Sequence, residues 1–161
     1  MPLLACLHRG IPGRQATLIH ATGAGRTAFR QSLDHLLELG LLERNPGHGH
    51  PLRSEFRLTQ EGTRIAALAD QVEHLAPGDQ LKNLLRRSWT LPVLASTQEP
   101  IRFTQIKRNL LPISDRALSL SLQRLEQASW MRRDVDVDAR PARSIYRAQG
   151  EGAEIARVLA A

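Results

Sequence analysis

Residues Ser114 to Arg147 read SDRALSLSLQRLEQASWMRRDVDVDARPARSIYR, and this stretch decides the architecture. Ala117, Leu118, Leu122 and Leu125 recur at the spacing of one helix face. Ser114 stands at the N-cap position, where its hydroxyl can accept a backbone N–H. Trp130 and Met131 then open a strand that turns basic at Arg132 and Arg133. Asp138 to Pro141 reads as a turn, and Ile145 and Tyr146 return as the partner strand. A helix followed directly by a basic hairpin is the layout of a winged helix-turn-helix. In that layout the helix enters the major groove of DNA and the hairpin reaches the backbone or the minor groove.

The same pattern occurs once before. Arg26 to Arg57 reads RTAFRQSLDHLLELGLLERNPGHGHPLRSEFR. Ala28, Phe29, Ser32, Leu33 and Leu36 fall on Ala117, Leu118, Ser121, Leu122 and Leu125 at a constant shift of 89 positions. Leu41, Leu42 and Arg44 fall on Trp130, Met131 and Arg133 at the same shift. Arg57 and Gly62 fall on Arg147 and Gly152 at a shift of 90, which makes the second wing one residue longer. A near-constant offset through a helix and a hairpin, with the length change in the turn, is expected of a duplicated module.

The chain has 161 residues, enough for one medium domain or two small ones. Aromatic residues are only 4% of it, so the cores must be mostly aliphatic, which suits helices. The net charge of +6 fits a nucleic-acid partner without establishing one. The charge is uneven: 8 Lys/Arg against 7 Asp/Glu before Asp79, and 14 against 9 from Asp79 onward. All six histidines lie in the first half, which can therefore gain charge at mildly acidic pH. With Cys6 the one cysteine, no intrachain disulfide can form, and a cytoplasmic location is the natural reading. No apolar run approaches the length of a membrane span, so no membrane association is expected.

Leu3–His8 and Arg14–Ala21 read as short helices, with Gly10, Pro12 and Gly13 between them. A Gly-rich turn at 22–25 leads into a helix from Arg26 to Leu39, stopped by Gly40. Thr59 is placed to cap a long helix whose inward stripe is Ile65, Leu68, Ala69 and Val72. Residues 76–79 (Ala-Pro-Gly-Asp) form the mid-chain break, and Asp79 is placed to cap the helix after it. The expected fold class is mainly α with small β-hairpin wings, as two tandem winged helix-turn-helix domains. The first covers residues 1–75, a linker 76–79, and the second 80–161.

Candidate DNA contacts follow from this layout. Arg26, Thr27, Arg30 and Gln31 lie in the N-terminal half of the first recognition helix, where Arg pairs with guanine and Gln with adenine. Arg116, Ser119 and Gln123 are the matching set in the second, with Ser114 at its cap and Thr104 on the preceding helix. The first wing offers His48, His50 and Arg53, and the second Arg140 and Arg143, suited to phosphates or a narrow minor groove. His48 and His50 lack the further ligands that a zinc site needs, so no metal is expected. No paired carboxylates, nucleophile elbow or phosphate-binding loop is present, and the chain reads as a non-enzyme that needs no cofactor. Cys6 reads as a small buried hydrophobe. An alternative reading is a protein-interaction module with a protein partner, because Asp115 and Leu120 suit a protein surface better than a DNA groove.

The second half also resembles a known family. Trp89-Thr90-Leu91, Arg102-Phe103-Thr104-Gln105-Ile106, Leu111-Pro112-Ile113-Ser114, Leu118 to Leu125 and Trp130-Met131-Arg132-Arg133 resemble the motifs of the HxlR family of bacterial winged-helix regulators. In the first half, Leu39 to Arg44 and Leu58 to Gly62 resemble the wider MarR/HxlR group. The resemblance implies transcriptional regulation by binding to double-stranded DNA, usually as a homodimer whose two recognition helices meet two half-sites. One chain with two modules is then either a monomeric pseudo-dimer or a homodimer presenting four.

Overall fold

Apolar residues at helical spacing and two short amphipathic hairpins generate a mainly helical fold with small antiparallel sheets. The computed structural model describes residues 2–45, 55–136, 139–140 and 142–160. The chain divides into two compact units, Met1–His74 and Leu75–Ala161.

The first unit contains α1 (Pro2–His8), α2 (Gln15–Thr22), α3 (Arg26–Glu38), β1 (Leu42–Asn45), β2 (Glu55–Leu58) and α4 (Gln60–His74). Its core draws Leu3, Leu4, Leu18, Phe29, Leu33, Leu36, Leu42 and Phe56 around Ala66 and Ala69 of α4. Strands β1 and β2 pair antiparallel, with Glu43 opposite Arg57 and Arg44 opposite Phe56. Arg14 bridges to Glu55 at the open edge of β2. Arg9 Nε and Nη2 donate to Asp70 at 2.5 Å and Glu73 at 2.7 Å, fastening the end of α1 to α4.

The second unit contains α5 (Asp79–Leu85), α6 (Thr90–Ser96), β3 (Ile101–Arg102), α7 (Phe103–Asn109), α8 (Asp115–Gln127), β4 (Met131–Asp136), β5 (Arg143–Ala148) and α9 (Gly150–Ala160). Its sheet has the order β3-β5-β4. Trp130, Leu118, Leu122, Leu125, Ile106, Val93 and Leu94 are fully or almost fully buried.

The structure repeats the same local devices at the sequence shifts already noted. The Leu41 N–H donates to Leu36 O at 3.0 Å, and the Trp130 N–H to Leu125 O at 2.9 Å. The Thr59 N–H donates to Leu41 O at 3.1 Å, and the Gln149 N–H to Trp130 O at 3.0 Å. Gly40 leaves α3 at φ +66, and Ser129 leaves α8 at φ 60. The Arg44 guanidinium lies over the Phe56 ring at 5.9 Å, and that of Arg133 over Tyr146 at 6.0 Å. Each long helix after the hairpin is seated by a glycine. A Cβ on Gly62 would lie 1.8 Å from Leu41 O, and one on Gly152 2.3 Å from Trp130 O. No side chain fits such a separation.

Several sequence expectations need correction. Asp79 does not cap α5: the N-cap is Gly78 at φ 85, no side-chain cap bond is made, and Asp79 sits in the first turn. The stripe of α4 is turned toward Gly62, Ala66, Ala69 and Val72, leaving Ile65 and Leu68 half-buried. Gly62 begins the inward line because the backbone of Leu41 comes too close there for any side chain. Strand β3 was not anticipated, being two residues long with no periodicity to show. Thr59 does cap α4, its Oγ1 accepting the Gly62 N–H at 3.0 Å.

Candidate nucleic-acid interface

The apolar stripe of α3 buries Phe29, Leu33 and Leu36, which turns Arg26, Thr27, Arg30 and Gln31 to solvent. The helix starts from Gly25 with no side-chain cap and no acid in its first turn. Its orphan N–H groups and partial positive charge therefore meet the cation of Arg26, an arrangement that favours an approaching anion. Arg30 lies 3.8 Å from Asp34, with both side chains well exposed, so this pair restrains Arg30 only weakly.

Helix α8 buries Leu118, Leu122 and Leu125 and exposes Arg116, Ser119, Leu120 and Gln123. Ser114 Oγ accepts the Ala117 N–H at 3.2 Å, a conventional cap. Asp115 follows in the first turn and receives Lys107 Nζ of α7 at 2.7 Å. The negative charge noted in the sequence at this helix end is therefore matched by a cation from the preceding helix. Leu120 remains 38% exposed, and Leu111 in the turn before α8 is 74% exposed.

Between the start of α7 and β5 lies a groove of 530 Å³ lined by Arg102, Phe103, Thr104, Arg143, Ser144 and Tyr146. It brings together Thr104 and Arg143, two of the residues singled out in the sequence. Its other polar walls, Arg102, Ser144 and Tyr146, were not. Arg133 Nε and Nη2 donate to Ser144 Oγ at 3.0 and 2.8 Å, which fixes that wall. Arg102 is anchored twice, by its backbone N–H to Gln105 Oε1 at 3.2 Å and by Nη2 to Asp136 Oδ2 at 3.4 Å. Arg116, Ser119 and Gln123 do not line this groove. Arg140 is exposed in the bend before β5. His48, His50 and Arg53 lie outside the described residues.

Burial pushes the Cys6 thiol pKa up, Glu73 adds to this, and Arg9 opposes it. The thiolate is disfavoured, which suits a packing role. Among the described residues no cluster of three His, Cys, Asp or Glu could hold a metal ion, and no helix is long and apolar enough to cross a membrane.

The family described as HxlR-like helix-turn-helix matches residues 84–161, most of the second unit. No curated protein matches the chain. Among solved structures, a protein described as a MarR-family transcriptional regulator from Porphyromonas gingivalis W83 is 20% identical. That comparison covers 48% of this chain and 76% of the other, with a TM-score of 0.45. Residues 84–161 are thus similar to an HxlR-like helix-turn-helix, and in this chain they hold α7, α8 and the β4–β5 hairpin that follows.

Proposed function

We propose that this chain is a sequence-specific, double-stranded DNA-binding transcriptional regulator built from two winged-helix domains, residues 1–75 and 80–161. One observation carries the reading. In the region that matches the HxlR-like family, an exposed polar helix face, a basic groove and a basic hairpin follow one another as DNA docking requires. The recurrence of hydrogen bonds, ring contacts and glycine seats in the first unit supports a second domain of the same kind.

In this reading phosphates are held at Thr104, Arg102 and Arg143, and bases are read from the N-terminal halves of α3 and α8. Two domains in one chain supply the pair of helices that relatives obtain by dimerising, so a single chain acts as a pseudo-dimer. The test is binding to genomic duplex fragments, including the region upstream of its own gene, with random-sequence competitor. A competitor-resistant complex that weakens steeply with salt is expected. A complex that vanishes with competitor overturns sequence specificity.

The exposed Leu111 and Leu120 favour a second reading, a module that docks on a partner protein. That contact would be far less sensitive to salt than a phosphate interface.

A further inference from the structure

The register of the second hairpin creates a feature that the first lacks. Arg132 on β4 lies directly opposite Arg147 on β5, and both are exposed. Like charges directly opposed across two strands destabilise a hairpin. At the corresponding position of the first unit the pair is Glu43 and Arg57, joined at 2.5 Å. The fold therefore does not require two arginines there.

Side chains alternate across a sheet, so Arg132, Arg143 and Arg147 share one face, opposite to buried Met131, Tyr146 and Ala148. Arg102, paired with Ile145, joins the same face from β3. Asp134 and Asp136 lie among them, held by Arg132 at 2.8 Å and Arg102 at 3.4 Å, so the four arginines of the face outnumber its two carboxylates. Among the described residues Arg147 forms no ion pair. The row begins at Arg102 and Arg143, which also line the groove beside α7, and runs about 13 Å along β5 to Arg147.

The geometry points to a second phosphate-binding track on the outer face of this sheet, with Arg132 and Arg147 gripping the DNA backbone beyond the groove. The inference rests on the reading of the chain as a DNA-binding protein and assigns a role to two residues outside the contacts considered so far. The track is blind to sequence: it adds affinity to any duplex and extends the footprint on one flank.

The test uses the full chain and labelled duplexes, one a retained genomic fragment and one random, over a range of salt. For Arg132→Gln/Arg147→Gln, affinity should fall by the same factor on both, roughly tenfold at moderate salt, and the slope of log affinity against log salt should flatten by about 2. Arg147→Glu gives Arg132 the cross-strand carboxylate partner that the first unit already has. It should lose more affinity while its melting temperature holds or rises. Unchanged affinity and slope in both variants, with wild type still binding duplex, overturns the track and leaves the DNA-binding reading intact. A loss confined to the genomic fragment overturns it too, since that is base reading. Melting temperatures that fall in step with affinity show a structural pair instead. Wild type that binds no duplex at any salt overturns both the track and the reading beneath it.

Discussion

The two units share a frame and distribute charge in opposite ways. Arg26, Arg30 and Gln31 on α3 correspond to Asp115, Ser119 and Leu120 on α8. Glu43 and Arg57 on the first hairpin correspond to Arg132 and Arg147 on the second. The first unit places Arg26 and the loosely paired Arg30 on its helix and closes an ion pair across its strands. The second quiets its helix with Lys107–Asp115 and crowds arginines onto its sheet. The buried positions and the glycine seats hold the frame, and exposed residues change without disturbing it. Two units that repeat the same local devices therefore need not carry the same surface.

The comparison can be broken at its buried positions first. Trp130 is fully buried where the first unit has half-buried Leu41. Trp130→Ala should cost about 4 kcal/mol and Leu41→Ala about 1–2 kcal/mol, read by chemical denaturation followed by circular dichroism. Equal costs would mean that the two positions carry equal weight after all. Next comes base reading. Arg30→Ala should lose about 1–3 kcal/mol on a specific duplex and much less on random sequence, whereas Ser119→Ala on α8 should change either by less than about threefold. Equal loss on both duplexes would place Arg30 on phosphate alone. A smaller effect is expected at Asp115. Asp115→Asn frees Lys107 and removes a repelled charge, so affinity for any duplex should rise by about two- to fivefold at low salt. A fall restricted to one sequence would instead make Asp115 an acceptor from cytosine. An effect of similar size, on stability alone, belongs to the helix exits. Ser129 holds the left-handed conformation that Gly40 holds in the first unit, so Ser129→Gly should stabilise by about 0.5–1 kcal/mol in a thermal melt.

Much of this was legible in the sequence, and the rest was hidden for physical reasons. The leucine spacing located α3 and α8, because their buried faces are built from large aliphatic residues. The constant shift aligned the hairpins, because each strand root is fixed by the helix before it. The inward line of α4 was legible at Ala69 and Val72 but not at Gly62, because hydrophobicity does not reveal a glycine chosen for closeness. The Lys107–Asp115 contact crosses a turn whose path the sequence leaves open. Arg132 and Arg147 are 15 positions apart, and only the hairpin register sets them face to face. Thr104 and Arg143 were selected separately, and folding places both on one groove with Arg102, whose motif was visible but whose position was not.

The glycine seat on α9 carries a mechanical consequence. With Gly152 pressed against the backbone of Trp130, the joint between α9 and the root of β4 has no slack. A joint without slack transmits displacement and does not absorb it. Helix α9 and the root of β4 are thus seated as one piece, and a side chain introduced at Gly152 would pry the helix off the strand.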